Sequence, residues 1–283
     1  MHPTTVLHYC ALAAYGLAAV LFVVGAIRRR GRASVVATVG LGAASALNLA
    51  LLVSRGIEAA HAPFQTNYEA LALTALCLAV GYVLVFVTNH LHRVGAYGQM
   101  ITCLVGLLTA LLTAGVLVAG LMMADHPREL PPALQSPWFV PHVIVYIFGY
   151  GTLGVAFCAS VVYLALKALK RLDDEAAMES GLGSVDTFAY RVIGVGFPFL
   201  SAGLIFGAFW AQEVWATYWG WDSKEVWSLI TWLVYLIYLH LRRVSGWRGT
   251  RSAWFVIVGA IAIVITFQLF GYLPASTTSV HKY

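Results

Sequence analysis

The stretch Trp210-Ala-Gln-Glu213-Val-Trp215-Ala-Thr-Tyr218-Trp219-Gly-Trp221-Asp222-Ser-Lys-Glu225-Val-Trp227 holds the groups that a flat, largely apolar ligand needs. Indole rings stack on the faces of such a ligand, and indole N–H or carboxylate groups fix its polar edge. If the segment is helical, Trp215, Tyr218, Trp219 and Asp222 stand at i, i+3, i+4 and i+7 and share one face. Trp and Tyr also gather at membrane–water interfaces. Such a belt accounts for three or four of the rings, but not for so many in a loop that also carries Glu213, Asp222 and Glu225. On these residues alone, a planar-ligand site and an aromatic belt or helix-packing patch both stay open. The other candidates are three histidines near the ends of apolar runs, His142, His240 and His281. Each is also compatible with an ordinary interfacial or snorkelling role.

The elements that must position these groups are membrane helices. The chain has 283 residues, 60% of them hydrophobic and 10% charged, with a mean hydropathy of +0.81. A soluble domain cannot hide that much apolar surface. Eight runs long enough to cross a bilayer core cover residues 4–27, 34–54, 68–88, 100–123, 142–166, 192–210, 226–241 and 253–273, the seventh being short with an unclear start. Backbone in lipid must satisfy its own hydrogen bonds, so the expected class is an all-α, polytopic integral membrane protein in one domain. The first run has its basic residues (Arg28, Arg29, Arg30, Arg32) after it rather than before it, opposite to a cleaved signal peptide.

The net charge of +5 and pI of about 9.1 report orientation, not nucleic-acid binding, because the charges sit in short loops. With the N-terminus outside, 13 of the 17 Lys and Arg face the cytoplasm, leaving Arg55, Arg128, Lys224 and Lys282. That bias predicts both termini on the outer face. Residues 124–141, 211–225 and the tail 274–283 are then external, which places His142 and His281 on the side of the tryptophan segment. His240 falls at the cytoplasmic edge. The inner segment 167–191 mixes both charges and reads as a solvated connector broken at Gly181–Gly183. Cys10, Cys77, Cys103 and Cys158 lie in apolar runs without C-x-x-C spacing, as small core residues rather than disulfides, a zinc site or a covalent haem attachment. Thr66-x-x-Glu69 has capping-box spacing, Asn48 and Gln268 read as helix–helix glue, and His90-x-His92 reads as solvated loop.

Trp219-Gly-Trp221-Asp222-Ser-Lys-Glu225-Val-Trp227-Ser-Leu-Ile-Thr-Trp232 resembles the WWD signature of the haem-handling proteins of cytochrome c maturation. The Lys-Glu-x-Trp continuation and Tyr235-Leu-Ile-Tyr-Leu-His240 resemble the CcsA (ResC) family, the system II cytochrome c synthase subunit, whereas the related CcmC proteins usually continue Asp-x-Arg-Leu-Thr. Ala62-Pro63-Phe64-Gln65-Thr66-Asn67-Tyr68-Glu69 and Ser136-Pro137-Trp138-Phe139-Val140-Pro141-His142-Val143 are similar to CcsA as well. Two departures stand out: Ala216 where the family usually has Gly, and Ser223 where it usually has Pro.

The resemblance implies a haem-binding membrane subunit of a bacterial cytoplasmic-membrane cytochrome c synthase (haem lyase). It would hold haem b as bound substrate and present it on the outer face to the C-x-x-C-H motif of apocytochrome c, together with the membrane subunit CcsB (ResB). Haem iron takes axial ligands from opposite faces. His142 and His281 match the family's two external ligands, and His240 its ligand on the inner leg, whose counterpart CcsB supplies. Trp215, Tyr218, Trp219, Trp221, Asp222, Glu225 and Trp227 make up the haem-facing segment, with Lys224 or Arg128 for the propionates. Three other classes remain: CcmC-like delivery of haem to a chaperone, a HemX-like regulatory membrane protein, and a transporter of an unrelated solute. The last predicts charged or broken helices at the midplane, and the spans carry almost no charge.

Overall fold

A computed structural model describes residues 3–89, 95–123, 129–169 and 175–267, the side chains of 175–178 excepted. Among them are eight α-helices: α1 (Pro3–Arg28), α2 (Gly31–Ala59), α3 (Asn67–Thr88), α4 (Ala96–Met122), α5 (Phe139–Leu169), α6 (Glu175–Trp215), α7 (Ser223–Val244) and α8 (Thr250–Phe267), with a short 3-10 turn at Pro132–Gln135 before α5. A helix stands at each of the eight expected spans, the last described as far as Phe267. Seven of the helices are long and apolar enough to cross a membrane. α7 has the length, at 22 residues, but its polar ends and its Trp, Tyr and His residues lower its hydropathy.

The helices form a bundle in which α1 lies against α2 and α4, α5 against α6, α3 and α8, and α7 against α8 and α6. The interface of α5 on α6 is built on small residues. A Cβ added at Gly149 would stand 3.0 Å from the Leu200 backbone nitrogen, so the two backbones approach as only small residues permit in a membrane protein. Buried polar side chains work as expected: Asn48 Nδ2 donates to the Ala72 carbonyl at 3.2 Å. Thr66 and Glu69 form a complete capping box at the start of α3. Glu69 does more, accepting from Arg55 Nε at 2.9 Å in an ion pair that both side chains bury. Cys77, Cys103 and Cys158 are buried, whereas Cys10 is exposed on α1, contrary to a core role for all four.

Within the segment expected to be a solvated, glycine-broken connector, residues 175–191 are instead the first part of α6, which runs unbroken through Gly181–Gly183. Leu182, Val185, Phe188 and Ala189 are buried, so helical spacing puts these apolar residues on the bundle side, while Glu179 and Arg191 are exposed. That packing outweighs the roughly 1 kcal/mol that each interior glycine costs a helix. Asp186 on this stretch is buried, pairing with Arg242 of α7 at 2.6 Å and accepting from the Gly249 amide at 3.0 Å.

The start of α1, the start of α3, the α6–α7 loop and the end of α8 share one end of the bundle. His8 bonds Tyr68 across 3.0 Å, and Thr266 donates to the Trp227 carbonyl at 3.2 Å.

Candidate functional site

At that end α3, α5, α6, α7 and α8 enclose a cavity of about 260 Å³. One wall is a ladder on α5. His142, Tyr146 and Tyr150 stand at i, i+4 and i+8, and all three line the cavity. The imidazole is stacked between Tyr146 (5.4 Å, 22°) and Trp210 of α6 (5.7 Å, 25°). Its Nδ1 lies 2.8 Å from the Gly203 carbonyl oxygen. A carbonyl only accepts, so Nδ1 carries the proton and Nε2 the lone pair, the arrangement in which a histidine binds a metal while a backbone carbonyl fixes its tautomer. The close approach depends on α6: a Cβ at Gly207 would sit 2.9 Å from both Nδ1 and Cε1.

Residues 64–67, ahead of and beginning α3, form a second wall. Glu69 holds it from below, its Oε2 accepting the amides of Gln65 at 2.9 Å and Thr66 at 3.1 Å. Gln65 Nε2 donates to the Glu129 carbonyl at 2.9 Å. Lys224, Glu225 and Ser228 of α7 and Phe267 of α8 close the remaining side.

The tryptophan segment is not the helix that would give Trp215, Tyr218, Trp219 and Asp222 one shared face. α6 ends at Trp215, Ala216 has φ +57°, and residues 216–222 run as a loop in which Trp221 also takes a left-handed φ of +58°. The loop ends in a second capping box. Asp222 Oδ1 accepts the Glu225 amide at 2.8 Å, while Glu225 Oε2 accepts the amides of Gly220 at 2.8 Å and Asp222 at 3.2 Å. The first amides of a helix need partners, and these two carboxylates supply them. Asp222 and Glu225 therefore shape the loop.

The predicted residues separate accordingly. Trp219 lines the cavity, as do Tyr218 and Glu225. Trp215 packs on Trp210 (5.2 Å, 64°) in a satellite core with Leu134 and Phe139. Trp221 is 70% exposed and meets Trp219 edge-on at 5.9 Å. Trp227 lies one turn into α7, outside the cavity lining. His240 is exposed, about 22 Å along α7 from Glu225. It belongs to a face that also exposes Leu233, Leu236, Ile237 and Val244. His281 and Arg128 lie outside the described residues, as do His90, His92 and Gln268. Tyr146 and Tyr150 were not singled out in advance, and Trp210 only opened the tryptophan segment. The i, i+4, i+8 spacing of His142, Tyr146 and Tyr150 was the available signal, together with Gly203 and Gly207 at i, i+4 on the facing helix.

Among the described residues, no group of three or more His, Cys, Asp and Glu is placed to hold a metal ion.

A family model described as cytochrome C assembly protein matches residues 64–275, a span that contains every segment lining the cavity. The cytochrome c biogenesis protein CcsA of Chlamydomonas reinhardtii is 35% identical over 223 residues, covering 79% of this chain and 62% of that protein. That of Guillardia theta is 34% identical over 237 residues, covering 77% and 76%. That of Gloeobacter violaceus is 30% identical over 270 residues, covering 77% and 78%. In three dimensions the fold resembles that of the cytochrome c heme lyase CcmF, with a TM-score of 0.68 at 18% identity over 94% of this chain and 47% of that one. The chain thus spans less than two thirds of the Chlamydomonas relative and about half of CcmF. The chain belongs to the cytochrome c assembly protein family, beside the CcsA biogenesis proteins.

Proposed function

We propose that the chain is the haem-binding membrane subunit of a cytochrome c synthase, presenting haem b on the outer face for thioether attachment to the C-x-x-C-H motif of apocytochrome c. The observation that carries this reading is His142, with Nδ1 held by the Gly203 carbonyl at 2.8 Å and its ring at the wall of an aromatic cavity. A porphyrin supplies four of its iron's ligands, so one histidine from the bundle and a second from elsewhere suffice. His281 is the second. The cavity volume of about 260 Å³ falls just under the roughly 300–1,000 Å³ of clefts that engulf a ligand. A macrocycle seated there keeps one edge outside, beside the exposed Trp221.

In the reaction a thiol S–H adds across a vinyl C=C of the haem. Sulfur bonds one carbon and hydrogen the other, and no group leaves. Nothing in that balance demands a strong acid or base, so holding the two reactants together is the main contribution, worth up to about 7–11 kcal/mol in well-aligned cases. His240 serves the inner leg of the haem route. Its place on an exposed apolar face of α7 suits contact with a second membrane subunit, CcsB, which supplies the opposite ligand.

The test is the absorption spectrum of the chain purified with and without CcsB, beside a His142→Ala, His281→Ala variant. A bis-histidine haem spectrum that the variant loses supports the assignment. Absence of haem from every preparation overturns it.

A further inference from the structure

Eight buried side-chain nitrogen or oxygen atoms make no well-formed hydrogen bond among the described residues, and four belong to residues lining the cavity: the Tyr146 and Tyr150 hydroxyls, which have only each other and the Ser228 and Thr266 hydroxyls nearby, Trp219 Nε1 and Gln65 Oε1. Tyr146 and Tyr150 are each more than nine-tenths buried. A buried polar atom without a partner is costly and is normally satisfied by protein, water or ligand. The unmet set is weighted to donors. Indole nitrogen can only donate, a phenol donates readily, and Lys224 also lines the cavity. The adjacent carboxylate, Glu225, also lines the cavity, with its Oε2 turned to the Gly220 and Asp222 amides. The chemical complement of such a wall is an anionic oxygen.

We propose that Tyr146 and Tyr150, with Trp219 Nε1 and Lys224, form a subsite for the carboxylates of the cavity's planar ligand; this rests on the haem reading above. Along α5 the rings step inward from His142, with centroids 5.4 Å apart from His142 to Tyr146 and 4.7 Å from Tyr146 to Tyr150. Haem b carries both propionates on one edge and its vinyls toward the other. Seating the propionates on the tyrosines turns the vinyls outward, to the loop where an apocytochrome thiol arrives. The subsite thus sets which way the macrocycle faces, and Tyr146 and Tyr150 are residues of ligand orientation.

The experiment is a spectral titration of the full chain with haemin and, separately, with haemin dimethyl ester, which keeps the iron and ring but blocks both carboxylates. The wild-type chain is expected to prefer the diacid by about 10- to 100-fold, the effect of one or two hydrogen bonds to a charged group. Tyr146→Phe/Tyr150→Phe removes only two oxygens. It should lower that preference by about tenfold, Trp219 and Lys224 holding the remainder, while leaving the diester affinity unchanged. A merely structural role would weaken both ligands together. Equal binding of diacid and diester by the wild-type chain, or an undiminished preference in the double variant, overturns the subsite and leaves the haem reading standing. If neither ligand binds, both fall.

Discussion

Gly207→Ala perturbs His142 without touching its side chain. The added Cβ would stand 2.9 Å from Nδ1 and from Cε1, so the ring must withdraw by about half an ångström to reach ordinary contact. It has little room to do so, being stacked between Tyr146 and Trp210 at 5.4 and 5.7 Å. Withdrawal stretches the 2.8 Å bond to Gly203, which is worth about 1 kcal/mol by itself. Loss of a bond that orients a metal-binding histidine typically lowers metal affinity by about 10- to 100-fold. Stability should change little, because alanine recovers about 1 kcal/mol of helix propensity against a similar overpacking cost. The assay is a Soret titration with haemin beside thermal unfolding in detergent. Gly194→Ala on the same helix, where an added Cβ meets nothing within 4 Å, is the control and should leave haem affinity unchanged. Haem affinity of Gly207→Ala within twofold of wild type would refute the reasoning.

Other outcomes follow from the same geometry. Ala216 sits at φ +57°, so Ala216→Gly should stabilise the chain by about 0.5–1 kcal/mol, read as a rise in melting temperature. Ser223 is the first residue of α7, and Asp222 before it has φ −68° and ψ 165°, a conformation that a following proline requires. Ser223→Pro should therefore add about 0.4–1 kcal/mol in the same assay. Because Asp222 acts as a helix cap, Asp222→Asn should keep wild-type stability and haem binding, while Asp222→Ala should lose about 1 kcal/mol; equal loss in both would point to a need for the charge itself. Asp186→Ala strands Arg242 in the bundle and should cost about 3–5 kcal/mol by thermal unfolding.

Much of the architecture was legible before any coordinates. Hydropathy marks the spans because each helix must meet lipid with apolar side chains, and the Thr66–Glu69 capping box is written within four residues. His142 could be placed beside the tryptophan segment from charge bias alone. What was not legible depends on contacts between distant segments. The inner part of α6 looked solvated because its charges are visible in the chain, whereas the helices that bury Leu182, Val185 and Asp186 are not. The tryptophan segment suggested a helical face with a carboxylate for a ligand. Folding instead commits Asp222 and Glu225 to the start of α7 and divides the rings among a satellite core, the cavity and the surface. His142 gains its tautomer from a carbonyl 61 residues away, and Tyr146 and Tyr150 gain their place on the cavity wall from α6, α7 and α8 closing over them. Composition and local spacing specify which segments become helices and where they are capped; which polar atoms are left facing a shared space is settled when those helices pack.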